Sequence, residues 1–222
     1  MRFKNLIIAV IIAVIVGIGC SSEQQLPPIS KVVHPEWSKN ASIYEVNIRQ
    51  YSPEGTFNAF KEDLPRLKNM GVDILWLMPI HPIGELNRKG TMGSYYAVKD
   101  FKAINPEFGT EEDFRALIDA AHELEMKVII DWVANHSSWD NVWTVNKDWY
   151  TLDDEGSFVP PVEDWSDVID FNYDNEDMRA AMLDALEYWV REFDIDGYRC
   201  DVAGMVPIDF WISAHQKLDE IK

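Results

Sequence analysis

The sequence is poor in cysteine and in basic side chains. Its 222 residues include two cysteines, Cys20 and Cys200, which give no evident disulfide framework. Cys200 falls inside a predicted strand, where we expect it to pack as a small hydrophobic residue. Lysine and arginine number 20 against 38 aspartate and glutamate residues, so the net charge is -18. A surface this acidic repels phosphate backbones, and we therefore exclude nucleic acid as a partner.

Long apolar runs are also scarce. The most continuous one, Leu6 to Ile18, has about 13 residues, short of the roughly 20 that span a bilayer. It follows a basic start with Arg2 and Lys4 and leads to Cys20, a layout that resembles a bacterial lipoprotein signal. Gly17 stands where such signals usually carry leucine, and the alternative is an uncleaved N-terminal anchor helix.

We predict from this layout that Cys20 is lipidated and that residues 1–20 form the signal and lipidation segment. Residues 21–36, rich in serine, glutamine and proline, then form a flexible tether. The protein would be exported and held at a membrane of the bacterial cell envelope through its N-terminal lipid anchor.

The remainder of the chain alternates between strand and helix patterns. Strands are predicted over residues 42–48, 72–77, 127–133 and 195–201. Helices are predicted over residues 56–70, 176–193 and 207–221, and a further helix is predicted to begin at residue 110. Four βα units in order fit half of an eight-stranded α/β barrel or a four-stranded sheet of a doubly wound fold. The extra length always follows a strand, as barrel active-site loops do, and no Gly-x-Gly-x-x-Gly follows the first strand. Both observations favour the barrel. Residues 137–173 lack periodicity and indicate a short inserted subdomain.

Polar residues close two of the predicted strands. Arg199 and Asp201 lie two apart on one strand, so their side chains share a face. A guanidinium beside Asp201 would stabilise its negative charge and hold its orientation, as a carboxylate nucleophile requires. The alternative is a structural ion pair.

Asp131, Asn135 and His136 lie at the end of the preceding predicted strand. An amide and an imidazole there can donate hydrogen bonds to ligands rich in hydroxyl groups. As metal ligands, this set suits an oxygen-loving cation such as calcium better than zinc. The alternative for His136 is a satisfied histidine of the core.

These residues carry a resemblance. Asp131-x-x-x-Asn135-His136 followed by Gly197-x-Arg199-x-Asp201 resembles the first two signature regions of the alpha-amylase family of glycoside hydrolases. Residues 93–101 and 104–110 are similar to that family's loop after the second strand. The likeness runs from about Trp37 to the end. It implies a (β/α)8 TIM barrel, of which residues 37–222 carry about the first four βα units.

The resemblance implies a retaining glycosidase that acts on α-linked glucans such as starch and maltooligosaccharides. Asp201 would be the nucleophile that forms the glycosyl-enzyme, with Arg199 orienting it. Tyr96 and His136 would contact the sugar on the non-reducing side of the scissile bond, and Asp131 would support that wall. Asn135 would be the candidate ligand of a calcium ion. Four tryptophans of the insert would line further subsites or pack in the core: Trp139, Trp143, Trp149 and Trp165.

The sequence departs from the family pattern in three respects. Gly204 and Met205 stand where many members have a Lys-His pair. The family's general acid is a Glu after the fifth strand, and a further Asp follows the seventh; we expect residues 1–222 alone to be inactive without them. Two other functions stay open: a non-catalytic glucan-binding surface lipoprotein, and an α-glucan transglycosylase or isomerase. The Arg199–Asp201 pair argues against a pure binding protein, which needs no nucleophile.

Overall fold

A computed structural model describes residues 34–222, and the predicted signal, Cys20 and nearly all of the tether lie outside this part. Within it, the strands are β1 (Ile43–Val46), β2 (Ile74–Leu77), β3 (Lys127–Trp132), β4 (His136–Ser138), β5 (Val168–Asp170) and β6 (Gly197–Cys200). The α-helices are α1 (Ile48–Tyr51), α2 (Phe57–Lys61), α3 (Leu64–Asn69), α4 (Glu111–Glu123), α5 (Glu176–Phe193) and α6 (Ile208–Asp219). No helix in the described range is both long enough and apolar enough to cross a membrane.

The central element is a four-stranded parallel sheet in the order β1-β2-β3-β6. Each strand pairs with the next one of the predicted series, so the order never reverses, whereas a doubly wound sheet has a switch point where it does. The four predicted parallel strands are therefore confirmed, and their succession is that of consecutive βα units in a barrel.

The two faces of this sheet differ in composition. Leu75, Leu77, Val128 and Ile130 point to one face and are fully buried in the core. Successive side chains of a strand alternate between faces, so Trp76, Asp131 and Arg199 share the opposite one. In the register of β3 and β6, Asp131 lies directly beside Arg199. The sheet thus has an apolar face and a face that carries charge.

The first predicted helix, over residues 56–70, is in fact two helices, α2 and α3. Thr56 caps the first with its side chain, as predicted, and accepts a hydrogen bond from the Ala59 N–H. Pro65 lies in the first turn of α3. A proline ring inside a continuous helix would collide with the carbonyl four residues earlier, that of Lys61, where α2 ends.

The later helices follow their sequence signals closely. Thr110 and Asp113 form a reciprocal capping box at the start of α4. The limits of α5 are those predicted, with Asn175 capping its first turn. The predicted insert contains β4 and β5, paired as a small antiparallel sheet, and two short 3₁₀ turns (Val142–Val145 and Lys147–Trp149). The insert stands next to the ends of β3 and β6, where the candidate site lies.

Candidate active site

One guanidinium group forms the floor of the site. Arg199 Nη1 donates to Asp131 Oδ1 at 3.0 Å and Oδ2 at 3.2 Å, and also to Asp201 Oδ1 at 2.8 Å. Asp131 and Arg199 meet because β3 and β6 are in register, and Asp201 follows the last residue of β6. Its backbone N–H donates to the Trp132 carbonyl and extends the parallel ladder by one bond. Two carboxylates thus share one nitrogen of Arg199.

Asp131 is held from three sides. Besides Arg199, the Trp76 indole N–H donates to Oδ2 at 3.1 Å and the Tyr96 hydroxyl donates at 3.2 Å. The side chain is fully buried, and this burial raises the pKa of Asp131 against the opposing effects of Arg199 and Trp76. Burial and the charge of Asp131 also raise the pKa of Tyr96 above its ordinary value, so its hydroxyl remains a donor. Asp131 therefore fixes the positions of Arg199 and Tyr96.

The backbone after Asp201 is strained. Val202 has φ 39° and ψ 39°, a left-handed conformation that a β-branched residue rarely adopts. Such conformations persist only where the surrounding structure enforces them, and they concentrate at functional sites. The sharp turn follows Asp201 and directs the chain into the 3₁₀ turn Ala203–Met205.

His136 is the first residue of β4 and is 3% exposed. Burial lowers its pKa to about 4, so the imidazole is neutral at neutral pH. The Asn135 amide Nδ2 lies 3.3 Å from His136 Nδ1. With Nδ1 accepting from this amide, Nε2 carries the proton and is the ring's donor. The ring also contacts the edge of Trp165, with centroids 5.4 Å apart.

These side chains surround a cavity of about 460 Å³, a size usual for a small-molecule site. Tyr96, His136 and Asp201 all line it, as do Val202 and Trp165. Arg199 and Asp131 lie beneath, as floor rather than lining. The predicted residues Tyr96, Asp131, His136, Arg199 and Asp201 are thus brought together in one place.

Asn135 is buried, and its amide faces His136 rather than a group of carboxylates. Within residues 34–222, no three His, Cys, Asp or Glu side chains come together in a way that would hold a metal ion. A calcium ion at Asn135 stays a prediction from the sequence, and we derive no chemical step through a metal.

The four tryptophans of the insert have different surroundings. Trp165 lines the cavity. Trp143 stacks on Phe101 and meets the edge of Trp149, in the packing expected of core residues. The Trp139 indole N–H donates to the Ser166 carbonyl. Gly204 and Met205 are exposed in the turn after Asp201.

Sequence reasoning did not identify Trp76, Lys89, Asp167 or Val202 as parts of the site. Trp76 lies in an apolar run, where an inward-facing indole looks like any other core residue. Lys89 and Asp167 line the cavity from two segments without periodicity. The one signal in the sequence was that Trp76 and Asp131 fall in neighbouring predicted strands. It indicates a contact between them only when the register of those strands is known.

Comparison with known proteins places the chain among glycoside hydrolases. A family profile described as "Alpha amylase, catalytic domain" matches residues 32–157 and 161–220. Alpha-amylase MalA of Haloarcula japonica is 31% identical over an alignment of 193 residues that covers 82% of this chain and 28% of that protein. Alpha-1,4-glucan:maltose-1-phosphate maltosyltransferase of Rhodospirillum rubrum is 31% identical over an alignment of 210 residues that covers 83% of this chain and 30% of that protein.

A solved structure is also similar. The crystal structure of an alpha-amylase from Lactobacillus plantarum superimposes with a TM-score of 0.79 at 50% identity, covering 82% of this chain and 43% of that one. The chain therefore spans less than half the length of each of these relatives. The profile match covers most of the chain, with the two motifs on which the site is built. This protein belongs to the alpha-amylase catalytic-domain family and has the parallel strands of that family's TIM-barrel fold.

Proposed function

We propose that this chain provides the nucleophile side of the active site in a retaining glycoside hydrolase that acts on α-linked glucans such as starch and maltooligosaccharides. The observation that carries the proposal is the bridge from Arg199 Nη1 to both Asp131 and Asp201 beneath a cavity lined by Tyr96 and His136. The names of the relatives support the glucan substrate, and the site residues support the reaction class.

In this mechanism, an oxygen of Asp201 attacks the anomeric carbon, and the bond from that carbon to the leaving-group oxygen breaks. Arg199 orients the attacking carboxylate, and its position depends on Asp131. The Tyr96 ring stacks on an apolar face of the sugar held over Asp201, and the neutral ring of His136 donates a hydrogen bond to that sugar. Water then attacks the same carbon, gives a proton to the acid that had protonated the leaving group, and releases Asp201, so the product keeps its α configuration.

The leaving oxygen must receive a proton from an acid about 5 Å across from the nucleophile. None of the four parallel strands in residues 34–222 ends in a glutamate. We therefore expect the acid from the family's fifth barrel strand, and activity to require it.

Covalent trapping tests the proposal. A 5-fluoro glycosyl fluoride, which slows hydrolysis of the intermediate, should add one sugar mass to a peptide that contains Asp201. Asp201→Asn should abolish labelling, and Asp184→Asn, at an exposed carboxylate of α5, should leave it intact. Sugar release without label on Asp201, or label on another side chain, contradicts the proposal.

A second candidate is transfer or isomerisation through the same intermediate, favoured by the similarity to a maltosyltransferase. In that case a sugar hydroxyl intercepts the glycosyl-enzyme instead of water. Product analysis with maltose as acceptor separates the two: longer or rearranged sugars indicate transfer or isomerisation, and only shortened sugars indicate hydrolysis.

We also propose export and lipidation at Cys20, from the basic start, apolar run and cysteine at the N-terminus. Labelling with a palmitate analogue in a bacterial host should mark the wild-type protein at the membrane. Cys20→Ala should remove the label, and Cys200→Ala should keep it. Equal labelling of wild type and Cys20→Ala contradicts the proposal.

A further inference from the structure

Two chain segments meet at the rim of the cavity through one ion pair. Lys89 belongs to the long loop after β2, and Asp167 immediately precedes β5 in the insert. Lys89 Nζ lies 3.2 Å from Asp167 Oδ1 and donates to the Asp164 carbonyl at 2.6 Å. Both side chains line the same cavity as Tyr96, His136 and Asp201. The pair thus faces the space in which the sugar is proposed to bind.

The loop that carries Lys89 is fixed from within. The Arg88 guanidinium donates to the Gly84 carbonyl at 2.9 Å and to the Ile83 carbonyl at 3.4 Å. Gly93 has φ +72°, and a Cβ there would lie 2.7 Å from Ile83 Cγ2. Only glycine fits both the conformation and the space, so Lys89 is presented from a loop with little freedom.

The other half of the pair is equally constrained. The Asp167 side chain is only 9% exposed, and the adjacent Ser166 carbonyl accepts the Trp139 indole N–H at 3.0 Å. A nearly buried carboxylate needs a partner, and Lys89 provides it. Two groups held in position before a ligand arrives lose little freedom on binding, which is the condition for a selective contact.

The chemistry of the pair suits a neutral, hydroxylated ligand. The ammonium donates hydrogen bonds, the carboxylate accepts them, and the two charges cancel. A sugar with neighbouring hydroxyl groups can use both.

We propose that Lys89 and Asp167 are specificity-determining residues that bind the hydroxyl groups of a second glucose unit, next to the unit held at Tyr96 and His136. The inference rests on the proposed function and narrows its substrates to maltooligosaccharides long enough to reach the Lys89–Asp167 pair. Asp167 lies close enough to His136 for its charge to act on the imidazole, and Trp165 contacts the same ring. The Lys89–Asp167 pair therefore adjoins the first sugar position.

Binding measurements on sugars of increasing length test this. The full-length gene product with Asp201→Asn, which blocks turnover, is titrated calorimetrically with glucose, maltose, maltotriose and maltotetraose. Affinity should increase when the added glucose unit is the one that reaches Lys89 and Asp167. Lys89→Met or Asp167→Asn should reduce this gain in affinity about ten-fold. Shorter sugars should change by less than about two-fold, since they do not touch the pair.

Two further variants exclude a purely structural effect. Lys89→Arg keeps the charge and should restore most of the affinity step. Lys102→Met removes a comparable surface pair, Lys102 Nζ to Asp184 Oδ2 at 2.5 Å, away from the cavity, and should leave every affinity unchanged. The inference is overturned if Lys89→Met weakens all lengths equally or none. If the Asp201→Asn protein binds none of the sugars, the proposed function fails as well, whereas binding without this length dependence overturns only the inference.

Discussion

The strands β3 and β6 are joined by charged clusters at both of their ends, and the two clusters are built differently. At the carboxyl ends, Arg199 bridges Asp131 and Asp201. At the amino ends, Asp196 accepts from the Val128 N–H at 2.9 Å, from His122 Nε2 at 2.7 Å and from Lys127 Nζ at 3.0 Å. Lys222 Nζ also bridges Asp196 and the exposed Asp194 at that end, so the carboxylates there have several donors, whereas Asp131 and Asp201 share one donor nitrogen of Arg199.

Their electrostatics differ accordingly. Burial raises the pKa of Asp196, but the hydrogen bonds from Val128, His122 and Lys127 outweigh it and hold the pKa below its ordinary value. Burial dominates at Asp131, whose pKa is raised. In α/β barrels the amino-terminal face contributes stability and the carboxyl-terminal face contributes chemistry. This division has a physical basis, because the Asp196 carboxylate is enclosed by protein donors, whereas Asp201 at the other end lines the cavity and stays accessible to a ligand.

Neutralising one carboxylate at each end of the strands should give the largest effects. Asp196→Asn removes the charged acceptor of the Val128 N–H, His122 and Lys127, and should lower the free energy of unfolding by about 1.5–3 kcal/mol. Asp201→Asn should change it by less than about 1 kcal/mol while lowering turnover about 10³-fold or more. Denaturant unfolding and sugar release measure the two. Equal destabilisation by both variants would contradict the assignment of stability to the amino ends and chemistry to the carboxyl ends.

His81, a buried histidine outside the cavity, should affect stability rather than turnover, as we expect for the amino-end cluster. His81 is fully buried among Phe101, Trp132 and Trp189, and burial lowers its pKa to about 4. The unfolded chain, with a histidine pKa near 6.5, binds the proton more readily, so stability falls as pH decreases from 6.5 to 4. The loss from His81 should reach about 3 kcal/mol.

The measurement is urea unfolding at a series of pH values. His81→Phe should show a correspondingly smaller loss between pH 6.5 and 4 than the wild type, and His34→Gln, at an exposed position, should follow the wild type. An unchanged pH slope in His81→Phe would show that the buried ring is not the group that titrates.

Trp76→Phe tests one hydrogen-bond donor of the cluster at the carboxyl ends. It removes the indole donor to Asp131 but keeps an aromatic ring under the Arg199 guanidinium, which lies 4.9 Å from the Trp76 ring centroid. The loss of stability should be about 1 kcal/mol, and turnover should fall about ten-fold because Asp131 and Arg199 shift together. Trp189→Phe, which loses a core hydrogen bond to the Phe101 carbonyl, should cost similar stability at unchanged turnover. A larger turnover loss in Trp189→Phe would argue against this role for Trp76.

Val202→Gly should have the smallest effect on stability. Glycine relieves the left-handed strain but adds freedom to the unfolded chain, so the change should stay within about 1 kcal/mol. Turnover should decrease because the turn no longer fixes Asp201. Glu125→Gly is the matched control: Glu125 has φ 53°, is exposed and precedes β3, so turnover should not change. If Val202→Gly keeps full turnover, the strain has no part in positioning Asp201.

Local signals in the sequence were sufficient for much of the fold. The limits of α5 follow from its cap and periodicity, and the capping box of α4 needs only four residues. Pro65 could have predicted the break between α2 and α3, because the clash it causes is also local. The order of the parallel strands follows from the succession of βα units.

The site was predictable only in part. Arg199 and Asp201 share a strand face, which spacing alone establishes, whereas the contact between Tyr96 and Asp131 joins residues 35 apart and depends on how a long loop folds. Trp76, Lys89 and Asp167 gain their roles from register and loop packing, and neither is encoded in a short motif. The Asp196 cluster has the same origin, since His122, Lys127 and Asp196 meet only when α4, β3 and β6 are assembled.

The shared nitrogen of Arg199 also has a consequence for charge balance. With both carboxylates ionised, Asp131, Asp201 and Arg199 together carry one net negative charge beneath the cavity. A neutral sugar gains little from that charge, but a sugar ring that becomes positive as its glycosidic bond breaks gains a great deal. The floor of the site therefore favours a cationic ring over a neutral one, and sugar mimics that carry a protonated amine should bind more tightly than the neutral sugars they imitate.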